Sequence, residues 1–342
     1  MTDINSRQSI LIVDDSVENL DILKAILEPE YDIKATTSPK KTIDIALSQN
    51  PPDLILLDVM MPGMDGFEVC RILKSNPVSK KIPVLFVTTL GEVEDESTGF
   101  SVGGVDYITK PVSPPIVKAR VKTHLFLYDQ NRILEEKVKE RTREVNETRL
   151  EIINRLGHAA EYKDKETGTH IIRMSHISRI LARGIGMPED EAELILNSSP
   201  MHDVGKIGIP DLILMKEGPL NDEEWKIMKT HSLIGFKIIG EHPSELLRTA
   251  AITALSHHEK WDGTGYPHGQ KGEEIPLVGR IAAVADVFDA LTSNRPYKQA
   301  WTAEKAVDHI SAESGTHFDP SIVDTFIRKL PEILRVKEQN PD

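Results

Sequence analysis

Residues 201–210, MHDVGKIGIP, set a histidine directly beside an aspartate, His202-Asp203. A neutral imidazole nitrogen and an anionic oxygen are the ligand pair that a borderline divalent transition metal prefers. Further groups of this kind stand at His231, at the doublet His257-His258, at Asp286 in VADVFDAL, and upstream at Glu166 and His170 in ETGTH. The set is large enough for more than one metal. Lys206 follows His202 by four residues, which on a helix would bring its positive charge to the same face. Such a constellation suits hydrolysis of a phosphoester.

Taken singly, each of these residues has an ordinary explanation as a satisfied polar group in a helical protein. As a set they do not, because each sits among small or apolar residues, where unpaired charge is costly. Glu166 and His170, four apart, lie one above the other on a helix and reach one metal region. His257 and His258 are adjacent, so on a helix they point about 100° apart and are expected to serve two different metals. A multinuclear site follows from this reading.

The ordered run HDVGK, HHEKWDGTGYP and DVFDALTSNRPYK closely resembles the HD-GYP family of HD phosphohydrolases, over residues 157–329. Members of that family are helical phosphodiesterases that open the bacterial second messenger cyclic di-GMP. The resemblance implies that His170, His202, Asp203, His231, His257, His258 and Asp286 are metal ligands, with Asp203 bridging. It adds Glu166 as a ligand in members with a third metal. Iron or manganese is the usual ion, between which donor type alone does not choose. By the same resemblance Asp203 and Lys206 serve catalysis: two metals activate water for in-line attack on phosphorus, and Lys206 adds a cation at the phosphate. Tyr266, Arg295 and Lys298 would hold the rest of the dinucleotide; a loop-packing aromatic and surface charges are the simpler alternatives. Gly263 and Gly265 suit a tight loop stiffened by Pro267. Asp289, three residues after Asp286, is placed to orient a ligand from behind.

The first 125 residues alternate short apolar runs, ILIV, DLILLD, IPVLFVTT and DYITKP, with amphipathic stretches such as NLDILKAILE. Continuous apolar strands with helices between them predict a doubly wound α/β domain whose parallel sheet is covered on both faces. Ligands bind such sheets at the carboxyl ends of the strands, and those ends carry Asp14, Asp15, Asp58, Thr88 and Lys110. Acids from two strand ends suit Mg²⁺, beside which a carboxylate can attack a phosphoryl donor. Asp15, ahead of SVENL, reads equally well as a helix cap. The pattern VDD, LLDVMMPGMDG, VTT and YITKP resembles the receiver domain of bacterial response regulators over residues 9–125. That resemblance implies a five-stranded sheet, with Asp58 as phosphoacceptor and Asp14 and Asp15 binding Mg²⁺ together with the Met60 carbonyl. Thr88 and Lys110 would contact the phosphoryl group, Tyr107 would be the aromatic switch, and the Lys110-Pro111 bond would be cis.

From residue 115 to about 157 the chain turns charged and helical, and KARVKTHLFLYDQNRILEEKVKERTREVNETRLEIINRL contains no Gly or Pro. One helix of about forty residues would span roughly 60 Å. Alternating steps of four and three give Leu127, Asn131, Leu134, Val138, Arg141, Val145, Thr148 and Ile152, a heptad seam with polar gaps. A solvated charged helix is the alternative. The seam favours a parallel dimeric coiled coil of modest stability, able to shift register or splay. Beyond Gly157 the helical pattern continues between Pro and Gly breaks, with no competing strand pattern, so this half is predicted to be all-α.

A chain of 342 residues can bury a core in each of two or three domains. Its net charge of -13 argues against a general nucleic-acid binder or a partner of anionic membranes, so any nucleotide partner is expected to be small. The single cysteine, Cys70, excludes an intramolecular disulfide and lies in a helical pattern that favours packing. Without an apolar run of 18 residues or a signal-like start, the chain is expected to be cytoplasmic. The expected organisation is a receiver domain at 1–125, a helical coiled-coil connector at 126–157, and an all-α HD-type phosphohydrolase at 158–342. Phosphorylation at Asp58 would control hydrolysis of cyclic di-GMP to pGpG and onward to GMP, with two or three Fe or Mn ions in the hydrolase and Mg in the receiver. A sensor histidine kinase, diguanylate cyclase proteins and a second copy of the chain are the expected partners. Two other readings are a phosphohydrolase for another cyclic dinucleotide, and a signalling scaffold whose GYP loop engages cyclases without turnover. No ligand position is lost, which favours the enzyme.

Overall fold

The computed structural model describes residues 7–89, 93–164, 169–294 and 299–341. They fall into two compact units, Met1–Thr142 and Arg143–Asp342.

The first unit runs β1 (Ser9–Val13), α1 (Val17–Leu27), β2 (Asp32–Thr36), α2 (Pro39–Ala46), β3 (Leu54–Asp58), α3 (Gly66–Ser75), β4 (Val84–Thr88), α4 (Val93–Ser101) and β5 (Asp106–Thr109), then enters α5 (Pro114–Asp164). The strands pair in parallel in the order β2-β1-β3-β4-β5. Strands β3 and β4 are buried along their whole length, as continuous apolar runs covered on both faces require. Alternate residues feed opposite faces. Leu11, Leu57 and Phe86 pack with Val69 and Cys70 of α3, while Ile10, Ile12 and Leu56 pack with Leu23 and Leu27 of α1 and Val117, Val121 and Leu125 of α5. Burial raises the Cys70 thiol to about 11, in keeping with a packing role.

Helix α5 starts where the sequence suggests and runs longer at its far end. Its first turns belong to the receiver core through Val117, Val121 and Leu125. It also runs through Gly157 instead of ending there. A Cβ on Gly157 would lie 2.4 Å from the Pro200 carbonyl oxygen, so this glycine permits close helix passage and does not mark a break. Between these ends the seam residues Leu127, Leu134, Val138, Val145 and Ile152 are exposed.

The second unit is helical, as predicted: α6 (Thr169–Gly184), α7 (Glu189–Ser198), α8 (Asp211–Leu214), α9 (Asp222–Met228), α10 (His231–Ile239), α11 (Glu245–Ser256), α12 (Leu277–Thr292), α13 (Ala303–Ala312) and α14 (Pro320–Gln339). Short 3₁₀ turns lie at Ser199–Met201, Val204–Gly208 and Gly272–Glu274. Its core joins Met174, Ile177 and Leu181 of α6 to Ile281, Val284 and Phe288 of α12 and Phe326 of α14. This packing fixes α6 against α12, the two helices that carry His170 and Asp286. Among the described residues, no helix is long and apolar enough to cross a membrane.

Candidate metal centre and receiver site

His202 and Asp203 lie between two 3₁₀ turns, not on an α-helix, so the helical spacing of His202 and Lys206 does not apply. Lys206 reaches Asp203 instead, with its Nζ 2.8 Å from Asp203 Oδ2. Gly205 makes this possible. A Cβ there would lie 1.8 Å from the His231 carbonyl oxygen and 2.5 Å from the Gly235 nitrogen, so only glycine lets the 3₁₀ segment rest directly on α10. That contact brings His231, the first residue of α10, to Asp203, its Nε2 3.3 Å from Oδ1. His257, the C-cap of α11, places its Nε2 3.4 Å from the same oxygen.

The ligand candidates gather into two groups able to hold metal, Asp203 with His231, His257 and His258, and His170 with His202 and Asp286. In the second group His170 Nε2 lies 3.4 Å from Asp286 Oδ1. His202 Nε2, 3.4 Å from Asp203 Oδ2, links the two groups. The histidine doublet was expected to diverge toward different metals, yet both rings enter the first group, their centroids 3.9 Å apart. The helical argument fails because α11 ends at Ser256 and His258 lies in the turn beyond.

The chemistry of this donor set fits a cation. Nδ1 of His202 is 3.1 Å from the Ser199 carbonyl, Nδ1 of His231 is 2.8 Å from that of Met228, and Nδ1 of His257 is 3.1 Å from those of Thr253 and Ala254. A carbonyl only accepts, so each Nδ1 carries a proton, and a ring that is neutral turns its lone pair outward at Nε2. Those three Nε2 atoms are buried without a hydrogen-bond partner, as is Asp203 Oδ1. Nε2 atoms facing a carboxylate oxygen in a buried site call for positive charge between them, supplied by a proton or by a metal ion.

Titration reflects the same crowding. Burial opposes ionisation of Asp203, but Lys206 and His202 outweigh it and hold the carboxyl well below the usual range. Asp286 is lowered likewise, against burial, by His170 and His202. Burial, then His257 and His231, push His258 well down, which keeps its ring neutral.

Asp289 orients His170, as its spacing suggested: the His170 Nδ1–H donates to Asp289 Oδ2 at 2.8 Å. Behind it stands Arg173, buried and donating to both Asp289 oxygens at 2.7 and 3.0 Å. The sequence reading missed Arg173, although its position three residues after His170 was a legible signal. It also missed two acids at the end of α5. Glu161 is buried with Oε1 3.8 Å from His170 Nε2, and Asp164 accepts from Lys206 Nζ at 2.6 Å.

The GYP loop closes one side. A Cβ on Gly265 would lie 2.2 Å from the Lys260 nitrogen, so glycine is required there. Buried Glu259 accepts from the backbone of His268 and Gln270 at 2.8 and 3.0 Å and fixes the loop. Tyr266 is thereby laid 4.8 Å from the His258 ring and 6.1 Å from that of His231. Glu166, Arg295 and Lys298 lie outside the described residues.

In the receiver, Asp14, Asp15 and Asp58 converge at the strand ends as a second candidate cation site, where Asp14 and Asp58 are buried and Asp15 exposed. Lys110 Nζ bridges Asp14 Oδ2 at 2.8 Å and Asp58 Oδ2 at 3.0 Å, and the Lys110-Pro111 bond is cis. Burial raises the Asp58 carboxyl, partly countered by Lys110. Thr88 closes β4 beside them. Gly66 permits this pocket, since a Cβ there would lie 2.2 Å from the Asp58 carbonyl oxygen. Tyr107 is buried, edge-on to Phe100 at 5.2 Å, and a Cβ on Gly99 would lie 2.0 Å from its hydroxyl.

Comparison with known proteins matches both parts of the chain to families. Residues 10–122 match the response regulator receiver domain, and residues 135–322 match the HD domain. A probable cyclic di-GMP phosphodiesterase of Vibrio cholerae is 40% identical over 98% of this chain and 81% of its own. The cyclic di-GMP phosphodiesterase response regulator RpfG of Xanthomonas campestris is 38% identical over 96% of this chain and 89% of its own. A 3'3'-cGAMP-specific phosphodiesterase of Vibrio cholerae is 42% identical over 58% of this chain and 38% of its own. A cradle of buried imidazoles around Asp203, a carboxylate trio under Lys110, and likeness along nearly the whole chain lead to one conclusion: this protein belongs to the response regulators that join a receiver to an HD-GYP output domain.

Proposed function

We propose that this chain hydrolyses cyclic di-GMP to pGpG, and onward to GMP, under the control of phosphorylation at Asp58. The observation that carries this reading is the ring of outward Nε2 lone pairs set against the Asp203 carboxylate, a donor set that needs cations. His170, His202, Asp203, His231, His257, His258 and Asp286 would hold two divalent metals, iron or manganese, and Glu166 a third. Bound there, such metals supply Lewis acidity, lower the pKa of water and neutralise charge gathering on phosphoryl oxygens. The chain's own residues do the rest. Backbone carbonyls hold each Nδ1 proton so that the rings keep one orientation, and Asp289 does the same for His170. Lys206, tied to Asp203 and Asp164, presents a cation to the phosphodiester. Tyr266 walls the pocket, and Arg295 and Lys298 grip the dinucleotide.

In the receiver, Asp14 and Asp15 would hold Mg²⁺ while Asp58 attacks a phosphoryl donor from a cognate sensor kinase, with Thr88 and Lys110 on the phosphoryl oxygens. Domain limits of 1–125, 126–157 and 158–342 follow this division of labour. The exposed seam on α5 supports a homodimer through the connector, and diguanylate cyclases are candidate further partners. The likeness to the 3'3'-cGAMP-specific enzyme favours a second reading, in which the preferred substrate is a mixed cyclic dinucleotide. Incubating purified protein with each dinucleotide and Mn²⁺, or Fe²⁺ without oxygen, and resolving the products separates the two. Binding without turnover would favour a scaffold.

A further inference from the structure

The last turns of α5 lie along the His202–Ile209 segment. Ile153 shares an apolar cluster with Met201 and Val204, Gly157 passes the Pro200 carbonyl, and the helix then ends on Lys163 and Asp164. Lys163 reaches back to that segment. Its Nζ donates to the carbonyl oxygens of Ile207 at 2.8 Å and Ile209 at 2.7 Å, approaches that of Lys206 at 3.5 Å, and pairs with Asp211 Oδ1 at 3.3 Å. The carbonyls at the end of a short helix have no partner within it, and one ammonium can gather several of them. The turn Val204–Gly208 is too short to hold itself by cooperative bonding.

We propose that Lys163 is a positioning residue for Lys206: by gathering the carbonyls of Lys206, Ile207 and Ile209 it fixes the backbone from which the Lys206 side chain reaches Asp203. This rests on the reading of Lys206 as the cation at the phosphate. Among the described residues, the polar contacts of Lys163 are backbone carbonyls and Asp211, not the side chains of the metal cradle. Lys163 acts through the 3₁₀ turn, and it belongs to the same helix that begins at Pro114 in the receiver unit. Displacement of the last turn of α5 is therefore delivered to the Lys206 backbone.

The test is a double-mutant cycle on the full-length, metal-loaded protein. Lys163→Met keeps the apolar stem and removes the ammonium, Lys163→Arg restores a cation, and Lys206→Ala removes the group being positioned. With cyclic di-GMP, Lys163→Met is expected to lower kcat about 10-fold, because small misplacements of a catalytic group are costly, while KM and metal content stay within about 2-fold. Lys163→Arg should recover most of that loss. In the Lys206→Ala background the same Lys163→Met change should lower kcat less than about 2-fold, since coupled residues are not additive. An equal factor in both backgrounds would overturn the proposal. Hydrogen exchange gives a readout independent of turnover: amides of residues 204–209 should exchange faster in Lys163→Met, and unchanged exchange would equally overturn it. If wild-type protein does not hydrolyse cyclic di-GMP, the functional reading fails on its own, and the exchange arm still decides whether Lys163 holds the turn.

Discussion

Replacing Asp289 by Asn removes one buried charge from the network behind the metal cradle, and its cost can be worked from the structure. Asp289 accepts from His170 Nδ1 at 2.8 Å and from Arg173 at 2.7 and 3.0 Å, with all three residues buried. Burial opposes its ionisation, but His170 and Arg173 prevail and bring the carboxyl down to about 2. Against an ordinary value near 3.9, that shift corresponds to about 2.6 kcal/mol at neutral pH. Breaking a buried pair by removing one partner costs about 3–5 kcal/mol. Asn keeps the shape and one acceptor, so about 3 kcal/mol is expected. With a urea slope of about 2 kcal/mol/M, the unfolding midpoint should fall by about 1.5 M. Trp225, Trp261 and Trp301 all lie in the second unit, so tryptophan fluorescence reports its unfolding. The loss has a pH signature: a depressed carboxyl stabilises above about pH 4 and loses that contribution as pH falls toward 2, and the variant lacks this slope. The Asn amide also turns a donor toward His170 Nδ1, favouring the tautomer with its proton on Nε2, so metal affinity should drop about 10–100-fold. A midpoint within about 0.3 M of wild type, with unchanged metal affinity, would refute the role given to this network.

Three further outcomes are expected. Gly205→Ala forces a methyl into the His231 carbonyl and should cost about 3 kcal/mol and most of the hydrolysis; a variant of wild-type urea midpoint would show that the 3₁₀ turn does not rest on α10. Burial, then Lys260, bring the His317 imidazole down to about 4, so its contribution to stability is full above about pH 6.5 and fades as pH falls toward 4. Of the stability wild type loses between pH 7 and 5, about 2 kcal/mol should vanish in His317→Gln, and equal losses in both proteins would exclude this origin. A small-molecule phosphoryl donor with Mg²⁺ should label wild type and not Asp58→Ala; equal labelling would misplace the phosphoacceptor. Any resulting change in turnover is bounded by differential stabilisation, since moving a 1:99 population to 99:1 takes about 5.5 kcal/mol.

The convergence of the candidate donors was legible because chemistry confines them: seven buried or half-buried His and Asp side chains have few other uses, and all seven meet in two adjoining groups that could hold metal. The receiver was legible for a related reason, since fully buried parallel strands must be apolar up to the polar residue that closes each, Asp58 and Thr88. Local backbone form was not. His202 and His257 were read as helical, but Pro200 and the glycines around Lys206 make 3₁₀ turns, and α11 stops before the doublet. Gly157 was read as the limit of the connector because sequence does not show which glycine yields to a neighbouring backbone. Asp164 went unnoticed since a charged residue on a helix is usually solvated, and only the fold shows that it faces Lys206.

The central claim, that Asp203 sits at the heart of a multinuclear metal site, is tested most directly by counting metal. Wild type and Asp203→Asn, prepared without oxygen and loaded identically, should be compared by plasma mass spectrometry with circular dichroism as a control for folding. At least two ions per chain are expected in wild type, and a clear loss in the variant at unchanged helicity. Equal metal content in the two proteins, or none in a correctly folded wild type, would contradict it.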